Sequence, residues 1–252
     1  MQLGLKEKNV LIVGASKGIG KAIAVGFAKE EANLVLVART ESILKEVEKE
    51  SIYEGAKSCS VVVKDIMKVD TKKFADALIN KFGVFDIIIH NVGGSLIPRD
   101  PLSDSKAWEY ALKFNALAAI DMNSVFLSAM LVRGQGKIIH ISSISAKMLR
   151  GNPLYASSKA FLNAYVTSVG REVAAKGICL CSVMPGAIAF AGSYWDKLQS
   201  VNQEKCQDFL RHHQGIGRFG APEEIANAVV FLASEKASFL QGANIPVDGA
   251  NM

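Results

Sequence analysis

The sequence predicts an α/β fold: a single doubly wound parallel sheet with helices on both faces, built from all 252 residues. Two observations carry this. Short apolar runs rich in Val, Ile and Leu recur along the chain, as strands buried on both faces require. Stretches of helical length and amphipathic or charged character separate them. No linker, low-complexity tract or internal repeat interrupts the alternation, so residues 1–252 read as one domain.

Taken in order, the first strand is 10–13 (Val-Leu-Ile-Val), followed by a helix from about 19 to 30. The second strand, 34–37, leads into a charged helix from about 41 to 54. Runs at 60–63, 86–89 and 137–141 continue the rhythm, a sixth strand covers 178–183, and a short last one lies at 244–247. Ligands of such sheets bind beyond the carboxyl ends of the strands.

Half of the residues are hydrophobic and 21% are charged, which excludes a disordered chain. The net charge of +5 is scattered without a dense basic run, so no nucleic-acid partner is expected. Residues 1–6 run straight into a strand and show no signal-peptide h-region. The uncharged stretch 177–195 is broken by Gly177, Pro185, Gly186 and Gly192, so it reads as strand plus loop rather than a membrane span. Cys59, Cys179, Cys181 and Cys206 lack metal-ligand spacing, and Cys179 and Cys181 alternate onto one face of a strand. A reduced, cytoplasmic protein without a metal or a membrane partner is expected.

Between the first strand and the first helix stands Gly14-Ala15-Ser16-Lys17-Gly18-Ile19-Gly20. Glycines there permit a tight turn and let backbone N–H groups approach a pyrophosphate at a helix N-terminus, the arrangement of Rossmann-type dinucleotide sites. Choice of cofactor is made at the end of the second strand. An acid there binds a ribose 2′-hydroxyl, whereas a cation accommodates a 2′-phosphate. Here the sequence is Val37-Ala38-Arg39-Thr40, with no acid, and Lys17 offers a second cation. NADP(H) rather than NAD(H) follows.

Tyr155 and Lys159 are four residues apart, on one face if the segment is helical. A free phenol titrates near ~10, and a fixed ammonium beside it favours the phenolate, bringing that value toward neutrality. A carbonyl reductase needs such an acid, to protonate oxygen while hydride reaches carbon.

With these motifs in this order, the chain resembles the short-chain dehydrogenase/reductase family over essentially its whole length, 3-oxoacyl-carrier-protein reductases included. The resemblance implies roles for further positions. Asp65 meets the adenine. Asn91-Val92-Gly93 supports the sheet, and Asn91 and Gly93 line the adenosine ribose. The backbone at Pro185, Gly186 and Ile188 meets the nicotinamide, and Lys159 also holds its ribose. Ser143 binds the substrate oxygen, with Ser142 a substitute for it. Asn115 fixes a water between Lys159 and solvent, or satisfies backbone groups in an irregular helix. Gly217-Arg218-Phe219-Gly220, Pro222-Glu223-Glu224 and Asp248-Gly249 complete the pattern. The family's pairing of long helices implies a homotetramer, and basic residues such as Arg133 and Lys176 dock an acidic carrier in its carrier-linked members. Three positions depart from the family: Val13 and Phe190 stand where threonines are usual, and His90 where a second asparagine is common. His90 reads as a packed strand end.

The substrate side is expected from residues 94–99 and from a lid at 189–215, with helix from about 196 to 212. Tyr194, Trp195, Phe209, His212 and His213 on that lid suit an apolar or sugar-like ligand or ordinary core contacts. Lys147 and Arg150 stand near the mouth. The expected substrate is a small-molecule or carrier-linked carbonyl compound: a 3-oxoacyl thioester, a keto-sugar, a steroid-like ketone or a xenobiotic. The alternative is a sensor or scaffold that binds NADP(H) without turnover, which has no need of Asn115, Ser143, Tyr155 and Lys159 together. An epimerase or dehydratase is disfavoured by the short C-terminal region and the glycine spacing.

Overall fold

The computed structural model describes residues 2–95 and 99–251. Seven strands, β1 (Asn9–Val13), β2 (Asn33–Ala38), β3 (Ser58–Val63), β4 (Ile87–His90), β5 (Gly136–Ile141), β6 (Ile178–Pro185) and β7 (Asn244–Val247), form one parallel sheet. Their order is β3-β2-β1-β4-β5-β6-β7. The order reverses between β1 and β4, and a crevice opens there beyond the strand ends.

Alternation along each strand supplies two cores. Val10 and Ile12 face α1 (Gly18–Lys29), α2 (Glu41–Tyr53) and α10 (Pro222–Ala233), burying Ile23, Phe27, Leu44 and Ile225. Leu11 and Val13 face α3 (Thr71–Phe82), α5 (Ala118–Arg133) and α7 (Pro153–Ala174), burying Phe74, Leu78, Met122, Phe126 and Val166. Val13 thus fills a hydrophobic position, so losing the usual threonine hydroxyl there leaves a packed side chain. Residues Ser105–Arg133 form one continuous helical run: α4 (Ser105–Leu112), a π-helical turn (Lys113–Leu117) and α5. That run is apolar and long enough to span a bilayer by composition alone, and its inner face packs against α3 and α7.

Several boundaries differ from the sequence reading for physical reasons. The fourth strand starts at Ile87, one residue later than expected, and just before it the Asp86 carboxylate accepts the Asn9 amide (2.8 Å) and pairs with Arg133 (3.2 Å). The sixth continues to Pro185, every residue buried. The expected lid helix 196–212 is two helices, α8 (Tyr194–Val201) and α9 (Gln203–His213). Asn202 leaves the helical region (φ −155°) and caps α9, its Oδ1 accepting from the Lys205 amide. A short α6 (Ser145–Met148) links β5 to α7.

Candidate active site

The glycine turn fits a dinucleotide phosphate. Gly14 (φ +95°) and Gly18 (φ +52°) hold left-handed conformations that side chains disfavour. A Cβ on Gly20 would lie 2.0 Å from the Gly14 carbonyl, so only glycine lets α1 start this close to β1. The α1 N-cap, Lys17, makes no side-chain capping bond, and the first turn holds no acid. The leading amides of α1 are therefore free of side-chain acceptors, as an anion site requires. Asn91 donates from Nδ2 to the Gly14 carbonyl (2.8 Å), tying the end of β4 to the turn.

Around this turn opens a cleft of about 810 Å³. Gly14, Ser16, Lys17 and Ile19 line it at one end, with Arg39, Thr40 and Asp65 beside them. Asp65 accepts the Met67 amide (3.0 Å), which turns the chain after β3. Asn91 and Gly93 line the middle; Pro185, Gly186 and Ile188 form another wall. Phe190 also reaches the cleft, and three of its ring atoms lie 2.4–2.7 Å from where a Gly18 Cβ would stand. The phenylalanine that replaces the usual threonine therefore lays its ring directly on the glycine turn. Nothing in the sequence signals that contact, because 172 positions separate the two residues.

Ser143, Tyr155 and Lys159 line the opposite end of the same cleft. Asn152 caps α7 through the Leu154 amide (3.0 Å) and Pro153 occupies its first turn, which sets Tyr155 at the start of the helix. Lys159, one turn on, is 2% exposed and donates to the Ile141 carbonyl (2.8 Å). Its Nζ lies 6.0 Å from the Tyr155 ring centroid, and burial draws its pKa down to about 7. Burial pushes the Tyr155 phenol up, opposed by a hydrogen bond from Ser143. This differs from the expectation that Lys159 would lower the phenol. In the protein alone the hydroxyl of Ser143 is the group that does so, while the lysine is itself desolvated and turned to a carbonyl.

Ser143 Oγ also accepts the Ser145 amide (3.1 Å), which orients it toward the phenol. Ser142, its alternative, has a buried hydroxyl without a hydrogen-bond partner among the described residues. Asn115 sits in the π-helical turn. Its Oδ1 accepts the Gly94 amide (2.8 Å), and its Nδ2 donates to the carbonyls of Ala111 (3.0 Å) and Gly94 (3.2 Å). Its side chain thus satisfies backbone groups in an irregular helix. It is also at the site, because a Cβ on Gly93 would lie 2.9 Å from both Asn115 Oδ1 and Lys159 Nζ.

Behind the site, His90 and His140 stack at 4.8 Å on adjacent strands. Asn123 bridges them, accepting from His90 Nε2 (2.8 Å) and donating to His140 Nε2 (2.9 Å). Burial lowers the His90 pKa to about 4 and holds that of His140 well below the usual histidine value. His90 is thus a packed, neutral strand end, as its position suggested.

On the lid, Trp195 stacks with Phe209 (4.2 Å) and Phe219 (4.9 Å), so Phe209 serves the lid's own core, while Tyr194 and Trp195 also line the cleft. Arg150 reaches His213 Nδ1 (3.0 Å) and thereby joins the mouth to α9. His212 is bonded to Asp208 on the exposed side. Of the other expected wall, Gly94 and Ser95 line the cleft, and Leu96, Ile97 and Pro98 lie outside the described residues. Arg133 is committed to structure, donating to the carbonyls of Val84 (3.1 Å) and Phe85 (2.7 Å) besides its pair with Asp86. Two features escaped the sequence reading. Tyr110 and Phe114, spaced i, i+4, line a small recess against Tyr155, and Lys64 lines the cleft beside Arg39. The helical spacing of the aromatic pair and the strand-end position of Lys64 were the available signals.

Residues 14–250 match the family profile described as enoyl-(acyl carrier protein) reductase. Over 251 residues the chain is 31% identical to the 3-oxoacyl-(acyl-carrier-protein) reductase of Vibrio cholerae serotype O1, covering 98% of each chain. The L-sorbose reductase of Gluconobacter frateurii, solved with NADPH and L-sorbose, superimposes with a TM-score of 0.91 at 31% identity, over 100% of this chain and 98% of that one. A 7α-hydroxysteroid dehydrogenase solved with NADH and 7-oxo glycochenodeoxycholic acid gives a TM-score of 0.88 at 30% identity, over 98% and 95%. These two structures hold different nicotinamide cofactors, NADPH and NADH.

Proposed function

This chain belongs to the short-chain dehydrogenase/reductase family and is an enzyme, an NADP(H)-dependent oxidoreductase, and we propose that it reduces a small free ketone through Ser143, Tyr155 and Lys159. One observation carries the reading: Ser143, Tyr155 and the buried Lys159, which is bonded to the Ile141 carbonyl, share one cleft with the glycine turn. Bound NADPH supplies the hydride. Ser143 holds the substrate oxygen in place and Tyr155 donates the proton to it. Lys159, with its pKa near neutrality, exchanges a proton readily at working pH and restores the phenol between turnovers. Gly93, lacking a side chain, leaves room for that ammonium, which the Ile141 carbonyl holds. A complete set of this kind favours turnover over a sensor role.

Arg133, in the region where carrier-linked family members dock the acidic carrier, is held here by Asp86 and two carbonyls, which favours a free ketone such as a keto-sugar over a carrier-linked thioester. Four free thiols suit a reducing cytoplasm. Exposed Val132, Phe161 and Phe239 suit burial between subunits of a homotetramer. NADPH oxidation by purified protein across keto-sugars, a 3-oxoacyl thioester, a ketosteroid and a diketone tests the substrate class. Turnover of free ketones ahead of the thioester is expected. Thioester reduction as the fastest reaction contradicts the assignment.

A further inference from the structure

We infer that Lys64, at the end of β3, is a third cation of the 2′-phosphate site and helps to select NADPH over NADH. The inference rests on the NADP(H) reading above and adds a residue from a different strand. β2 and β3 pair in register to Ala38 and Val63, and the Lys64 amide donates to the Ala38 carbonyl (2.8 Å). The next residues, Arg39 and Lys64, therefore leave neighbouring parallel strands side by side, with the strands about 4.8 Å apart. Both line the cleft, and Lys17 approaches from the glycine turn.

Charge supports the grouping. Among the described residues, Lys17, Arg39 and Lys64 have no ion pair. The adjacent acid, Asp65, accepts a backbone amide from Met67 rather than meeting any of them. Three unpaired cations around one end of a cleft suit a dianion, and the ribose 2′-phosphate is the dianion that distinguishes NADPH from NADH.

Equilibrium binding separates this from the broader reading. Dissociation constants for NADPH and NADH would be measured on wild type, Lys64→Gln and Lys64→Arg by cofactor fluorescence, with 2′,5′-ADP and 5′-AMP as competitors. Lys64→Gln is expected to weaken NADPH and 2′,5′-ADP about tenfold, on the scale of one charge-assisted phosphate contact. NADH and 5′-AMP should stay within about twofold, and Lys64→Arg should retain most NADPH affinity. Unchanged NADPH affinity in Lys64→Gln, with wild type still preferring NADPH, overturns the role of Lys64 alone. Equal weakening of NADH overturns it too, by showing an effect on the shared part of the site. A wild type without NADPH preference overturns both the inference and the cofactor assignment.

Discussion

Replacing Gly93 with alanine should damage catalysis through a single methyl group. Gly93 does not have a positive φ, so the new residue meets no backbone penalty and its effect comes from contact. The methyl carbon would stand 2.9 Å from Asn115 Oδ1 and 2.9 Å from Lys159 Nζ, against 3.4 Å for ordinary contact. Each polar atom must therefore retreat by roughly 0.5 Å (3.4 less 2.9) or the backbone must shift. Both atoms are already committed, at 2.8 Å, to the Gly94 amide and the Ile141 carbonyl. Overpacking of this kind costs about 1–3 kcal/mol, partly offset by up to about 1 kcal/mol from the stiffer unfolded chain. A net cost of about 1–2 kcal/mol lowers the melting temperature of a domain of this size by roughly 2–8 °C. A misplacement of 1 Å can cost about 10²-fold in rate, so half that distance at Lys159 should lower kcat by about tenfold. Steady-state ketone reduction at saturating NADPH, beside thermal unfolding, reads both effects. A Gly93→Ala enzyme with kcat within twofold of wild type and an unshifted melting temperature would refute the claim that this contact fixes the lysine.

Two buried groups give pH signatures of the same sign in different ranges. His90 titrates at about 4 in the folded protein instead of 6.5, so between these values the unfolded chain binds the extra proton and stability falls as pH falls. The full shift corresponds to about 3 kcal/mol, and His90→Asn should flatten the loss of urea-unfolding free energy between pH 6.5 and 4; an unchanged slope would assign the acid sensitivity elsewhere. Lys159, drawn to about 7, acts in the same direction over a higher range: between about 7 and the unfolded value near 10.5 the unfolded chain holds the extra proton, so stability rises with pH there. Carbon NMR of labelled lysine side chains in the cofactor-free protein should show one ammonium titrating near 7, and a set of lysines all titrating near 10.5 would contradict its desolvation.

Local chemistry made much of this readable. Buried parallel strands need continuous β-branched runs, so 10–13, 34–37 and 137–141 stood out, and Gly14, Gly18 and Gly20 marked the phosphate turn because no other residue tolerates those conformations and contacts. Tyr155 and Lys159 were legible through helical spacing. What the sequence hid depends on residues far apart in the chain. Phe190 rests on Gly18, Lys64 pairs its backbone with Ala38, and Arg133 is spent on Asp86 and the carbonyls before β4. The direction of the phenol's shift was hidden for the same reason. Spacing shows that an ammonium is near, but only the packing shows that it is buried and turned toward Ile141. The break at Asn202 was signalled locally, by a capping residue ahead of Glu204, and was overridden in the reading by the amphipathic stretch around it.

The most direct test of the account is ketone-dependent NADPH oxidation by Tyr155→Phe, with NADPH affinity measured on the same preparation. The phenol is assigned the transferred proton, so turnover should fall by about 10²–10⁴-fold while NADPH binding stays close to wild type. A phenylalanine variant that turns over as fast as wild type would contradict the assignment of Tyr155 as the acid.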